Sequence, residues 1–171
     1  MAVDTAPGEQ YIQGKEVSFS EVKATAHVPG GESFEMTDWK DITWKTAVTV
    51  GKTRSRGTPN RRTSGISDFT AAAIFYRGGK IAVINQLAII AEANDLIRDG
   101  DMVMWGMVEF DLEITFSYPG EDQISTIVLE GCRFIDDDEK SSEGEAPQEA
   151  ALTIDPMNIY ELINGRKCVL R

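Results

Sequence analysis

Gly51-Lys52-Thr53 closes a β-branched run, Thr43 to Val50, which is where a phosphate-binding loop would begin. That loop needs a glycine five positions before Gly51, and Thr46 stands there instead. It also needs a helix whose N-terminus faces the phosphates, and Arg54-Ser55-Arg56-Gly57-Thr58-Pro59 cannot start one. No nucleotide site is expected. His27 is the single histidine, and the adjoining Val28-Pro29-Gly30 offers neither a nucleophile nor a carboxylate for it to work with. Glu109, Asp111 and Glu113 are carboxylates at alternate positions. On a strand they stand about 7 Å apart, too extended to wrap one calcium ion, so they read as an acidic face. Cys132 and Cys168 lack metal-ligand spacing and read as buried free thiols of a chain made in a reducing compartment. The residues point away from an enzyme, a cofactor and a metal centre.

What remains is charge. Five of the eleven positions from Lys52 to Arg62 are basic (Lys52, Arg54, Arg56, Arg61, Arg62), none is acidic, and no apolar side chain there is larger than Pro59. The flanks are strand-like. Thr43 to Val50 is rich in β-branched and aromatic residues. Ile66 to Tyr76 puts Phe69, Ala71, Ala73 and Phe75 on one face, with Asp68 and Thr70 on the other. Residues 41–76 therefore read as a projecting hairpin arm whose Gly51–Gly65 tip is a long polar loop without secondary structure. Such a loop is usually functional. This one has nothing with which to bury itself, and a lone hairpin is marginal in water, so docking on something else would order it.

The 171 residues fit one domain spanning 1–171, with a net charge of −11. Residues 40–80 hold nine basic side chains against Asp41 and Asp68, a net of +7 that leaves −18 for the rest. A chain so polarised can contact copies of itself. Met1 to Gln10 lacks a basic start followed by an apolar run, so no secretory signal is expected and residues 1–10 read as a loose tail. No stretch approaches the length of an apolar membrane span.

In chain order, Val17, Phe19 and Val22 mark a weak strand before the Pro29-Gly30-Gly31 turn. After the arm, Gly78-Gly79 reads as a strand break. Val83, Leu87, Ile90, Asn94 and Ile97 then recur at helical spacing, which predicts a helix from about Ile84 to Asp99, stopped by Gly100. Val108 to Phe116 alternates cleanly, and Ile124 to Ile135 should return antiparallel to it. Asp136 to Glu149 carries seven acids to one lysine and reads as a solvated acidic loop over 136–149. Asn164-Gly165 predicts a tight turn into a short last strand, Lys167 to Leu170. The fold class is mainly β: an antiparallel β-sandwich or barrel with one flanking α-helix and a long projecting β-hairpin.

This order of parts resembles the tail tube proteins of bacteriophages and of phage-like contractile particles. The resemblance runs from Gln13-Gly14-Lys15-Glu16-Val17 through the hairpin with its Gly- and Arg-rich tip, the helix and the Val108–Phe116 strand to Thr126-Ile127-Val128-Leu129-Glu130-Gly131-Cys132-Arg133, over residues 10–170. The acidic insertion is longer than the pattern leads one to expect. The resemblance implies a structural virion subunit that forms hexameric rings stacked into a hollow tube, made in the host cytoplasm and resident in the virion tail. The implied partners are copies of itself, DNA passing without specific binding, and a tail sheath, baseplate and terminator. It also implies that Lys52, Arg54, Arg56, Arg61 and Arg62 reach the next ring, against acids of the 136–149 segment. A lumen must repel DNA at close range, and Asp68, Glu109, Asp111 and Glu113 are the candidate lining acids. Two alternatives stand beside this: a tube subunit of a headless bacteriocin or secretion particle, and a nucleic-acid-binding module using the basic loop. Against the latter, the loop has no aromatic residue to stack on bases and the chain is acidic overall.

Overall fold

The strand β12 (Ile124–Glu139) holds the domain together, because it belongs to both halves of one folded-over antiparallel sheet. The computed structural model describes residues 10–12, 15–17, 22–30, 32–50, 52–55, 58–62, 65–98, 102–117, 124–139 and 148–169. Before β12 come β1 (Gln10–Ile12), β2 (Lys15–Val17), β3 (Val22–His27), β4 (Ser33–Met36), β5 (Trp39–Thr49), β6 (Lys52–Ser55), β7 (Thr58–Arg62) and β8 (Ile66–Tyr76). They are followed by the helix α1 (Arg77–Ala93), β9 (Ile97–Arg98), β10 (Met102–Val103), a 3-10 turn at Trp105–Met107, and β11 (Phe110–Ser117). After β12 come β13 (Glu149–Asp155), β14 (Asn158–Ile163) and β15 (Arg166–Cys168).

The first half-sheet runs β4-β3-β11-β12, with β14 and β15 beyond the near half of β12. The second runs β12-β13-β8-β5 from the far half of the same strand. Side chains alternate across a strand, so each half-sheet turns one row inward. Ala24, Ala26, Leu112, Ile114 and Leu129 of the first half share one buried cluster with Ala71, Ala73, Phe75, Leu152 and Ile154 of the second. Trp44 of β5 meets Phe116 of β11 across the gap, ring centroids 6.4 Å apart. Val83, Leu87 and Ala91 bring α1 into the same cluster.

β12 changes partners at Gly131. Its neighbour Glu130 pairs with Asn158 of β14, and Arg133 pairs with Asp155 of β13. Gly131 has φ +62, the left-handed region that a Cβ disfavours. An added Cβ would come within 2.9 Å of Met157 Cγ, but that side chain is exposed and can yield. The backbone conformation is therefore the main cost. Gly131→Ala should destabilise the fold by about 1–2 kcal/mol, read as a lower urea midpoint with an unchanged slope.

The Phe69-Ala71-Ala73-Phe75 face points inward as expected, and β11 and β12 pair antiparallel. Five expectations change. The helix starts seven residues early, at Arg77, with Gly78 and Gly79 inside its first turn. Gly79 is required there: a Cβ would stand 2.4 Å from the Thr37 carbonyl oxygen. The helix also ends earlier, at Ala93, where Asn94 Nδ2 donates to the Ile90 carbonyl and Asp95 takes φ +56. The tip of the arm is a hairpin, β6 paired with β7, instead of an unstructured loop. The acidic run Asp136–Glu139 is strand, paired with Ala150–Thr153 of β13. Cys132 is buried as expected, and burial pushes its thiol up to about 12, but Cys168, also read as buried, is exposed, because β15 pairs only with β14 at the margin of the described sheet.

Candidate inter-subunit surfaces

β5 and β8 pair from Trp39↔Phe75 to Thr49↔Ile66, but β13 covers β8 only between Tyr76 and Ala71. Beyond Ala71, β8 keeps only β5 as a strand partner among the described residues, and the chain continues from this two-stranded ribbon into the β6–β7 hairpin. Lys52 is exposed at its base. The backbone of Arg54, Arg61 and Arg62 lies in β6 and β7, their side chains are outside the described part, and Arg56 lies outside the described residues.

The acidic run sits at the other end. Glu139 pairs with Ala150, which pairs with Phe75, and Glu149 pairs with Tyr76. The arm leaves from Ile66, ten residues along β8, or about 33 Å away. The chain thus runs into its basic hairpin from one end of this sheet and carries acids at the opposite end.

Alternation sorts those acids. Asp137 and Glu139 share the inward face with Leu152 and Ala150, and both reach Lys80 of α1, at 2.6 and 3.0 Å. The Lys80 side chain is only 8 % exposed. Burial lowers its pKa, but the two carboxylate hydrogen bonds outweigh that, and the net shift is upward. Arg77 stands 3.4 Å from Glu139 and donates to Gln148 Oε1, while Lys40 pairs with Glu149 at 2.6 Å. Three cations of the basic segment are thus paired within the chain. Sequence reasoning missed this cluster because its members lie far apart in the chain.

Asp136 and Asp138 face the other way. Asp138, Ala151, Ile74 and Asp41 stand opposite one another across four strands, with Asp136, Thr153, Ala72 and Thr43 in the next row. Asp68 is on the same face of β8, further toward the arm. Asp41, Asp68, Asp136 and Asp138 are exposed and make no ion pair among the described residues. Asp111 and Glu113 lie on the far side of the core, on the outer face of the first half-sheet. The candidate lining acids are therefore split between opposite surfaces. The second set is also engaged: Glu109 pairs with Arg133, Asp111 accepts the Gly131 N–H at 2.8 Å, and Glu113 accepts from His27 Nε2 at 3.1 Å.

His27 Nδ1 lies 2.7 Å from Ser33 Oγ, so Ser33, His27 and Glu113 form a chain that the sequence did not suggest. Nucleophilic catalysis also needs a cleft and oxyanion donors. Neither described cleft reaches these residues. One, of about 450 Å³, is lined by Trp44, Ile127, Ile159, Tyr160 and Val169, and the other, of about 240 Å³, by Val28, Leu96, Met107 and Arg133. The chain of three ties β4, β3 and β11 together. No group of metal-ligating side chains forms, and no helix is long and apolar enough to cross a membrane, among the described residues.

No family model and no curated protein matches the sequence. Solved structures match the fold. A subunit of the SPP1 tail tube aligns with 85 % of this chain and 78 % of its own, at 11 % identity and a TM-score of 0.57. A chain of the anti-feeding prophage baseplate covers 83 % and 92 %, at 7 % identity and 0.58. The tube terminating cap of the anti-feeding prophage covers 94 % and 98 %, at 10 % identity and 0.55. The chain has the fold of phage-like tail tube proteins.

Proposed function

We propose that this chain is the structural subunit of a phage tail tube, in which hexameric rings stack into a hollow conduit for DNA. One observation supports it above others: the second half-sheet has two free edges and two unlike ends. Among the described residues, β5 has no strand on its outer side, and neither has β12 between Ile135 and Glu139. An uncovered edge of that length is a template for pairing. β5 and the far half of β12 run in opposite directions, so a neighbour rotated about an axis along the strands brings the two edges together antiparallel. Lys45 on the outer face of β5 would then approach Asp136 and Asp138. Such a contact is heterologous and closes into a ring.

The ends stack. Head-to-tail addition brings the basic arm of one copy to the acid end of the next, and this operator does not close, so it generates a filament. Lys52, Arg54, Arg56, Arg61 and Arg62 are the proposed arm contacts. Joined by their edges, the copies carry the core, the first half-sheet and α1 on one side of the wall. The bulkier side turns outward and the bare face lines the bore. On that reading Asp68, with Asp41, Asp136 and Asp138, faces DNA, and Glu109, Asp111 and Glu113 do not. A sheath, baseplate and terminator are the further partners, the virion tail is the location, and assembly occurs in the host cytoplasm.

Negative-stain electron microscopy of the purified full chain tests this. Rings or tubes of constant bore are expected. A protein that stays monomeric at every salt concentration, or that shifts duplex DNA in a gel while making no rings, would leave the nucleic-acid-binding module instead.

A further inference from the structure

Asp137 and Glu139 lie on the edge strand that the tube reading covers with a neighbour. In the single chain their side chains are 38 % and 35 % exposed, so water can solvate them if their partner is lost. Once the Ile135–Glu139 edge is covered, that water is gone. A carboxylate buried without a counter-charge is strongly unfavourable, while one already paired and hydrogen-bonded is tolerated. Lys80 supplies the counter-charge from the core side before any neighbour arrives, with both carboxylates within hydrogen-bond distance of one ammonium.

We infer that Lys80 is a positioning residue for ring closure, which neutralises and holds the inward acids of the β12 edge so that a second copy of this chain can cover it. The inference rests on the tube reading and names a residue that touches neither the neighbour nor DNA. Its mark is an asymmetry: removing the ammonium harms the assembly far more than the fold. Merely structural packing would harm both together.

Lys80→Met keeps the length and apolar stem and removes the charge. The concentration at which the protein assembles should rise about tenfold or more, equivalent to about 1.4 kcal/mol per joint, while the thermal midpoint of the dispersed protein moves little. Lys80→Met/Asp137→Asn/Glu139→Gln removes both carboxylate charges, Asp137 left without a cation and Glu139 left with Arg77 alone at 3.4 Å, and should return the threshold to near that of the unaltered chain. Lys80→Arg should hold it there. If the methionine variant does not fold, Lys80→Gln serves in its place, being neutral and still able to donate. A charge-neutral variant that assembles at the ordinary threshold overturns the inference and leaves the tube reading intact. A triple variant no better than Lys80→Met overturns it equally. An unaltered chain that never assembles brings down both.

Discussion

Arg61→Glu/Arg62→Glu should abolish tube formation while the dispersed protein keeps its unfolding midpoint. Both residues lie in β7, which pairs with β6 and with no other strand among the described residues. An exposed ion pair is worth only about 0.2–1 kcal/mol, and one pair would not decide assembly. Stacking repeats the contact in every subunit, however, and reversal turns attraction into repulsion. A change of about 1 kcal/mol per subunit, taken over the proposed hexameric ring, shifts the junction by about 6 kcal/mol, or more than four powers of ten. Added salt should weaken the unaltered contact, because charges further apart than about 8 Å are screened at physiological ionic strength. Sedimentation and electron microscopy read the outcome, and an undiminished tube yield would remove the arm from the joint.

The second large effect concerns passage. Asp68→Lys replaces an exposed acid on the bare face of β8 with a cation, once in every subunit. Each lysine that neutralises a phosphate releases a counterion and adds affinity, and the affinity then falls steeply with salt. On the proposed conduit function, particles carrying Asp68→Lys should assemble but release DNA slowly, with the rate recovering as salt is raised. Glu109→Lys is the control, since Glu109 is already engaged by Arg133 and, on the proposed reading, should leave release unchanged. Normal release from the Asp68 variant would sink the wall assignment. Slow release from the Glu109 variant alone would point to the opposite face.

Period-two signals were legible wherever a strand buries one face, as in Phe69-Ala71-Ala73-Phe75 and in Leu112 and Ile114. Gly79 misled because a close approach to the Thr37 carbonyl looks, in one dimension, like a helix breaker. The arm tip looked unstructured because its pairing comes from the backbone and needs no apolar side chain. Asp136–Glu139 looked like a solvated loop for a related reason: its alternation separates two kinds of acid, and no hydrophobic residue marks the inward face. The counter-charge for that face comes from Lys80, 57 residues away along the chain, a distance at which spacing carries no signal. The candidate site was therefore legible as charge at two ends of a molecule, and illegible in which acids are already partnered.

β5 and β8 run along the axis of the arm, with ten opposed pairs between Trp39↔Phe75 and Thr49↔Ile66. Their hydrogen bonds lie across that axis. A pull directed along the arm loads these bonds in shear and together, so the ribbon yields only when many slip at once. A sideways load would instead peel them one after another from the end. A rod whose segments grip through such ribbons would resist stretching far better than bending apart at its joints.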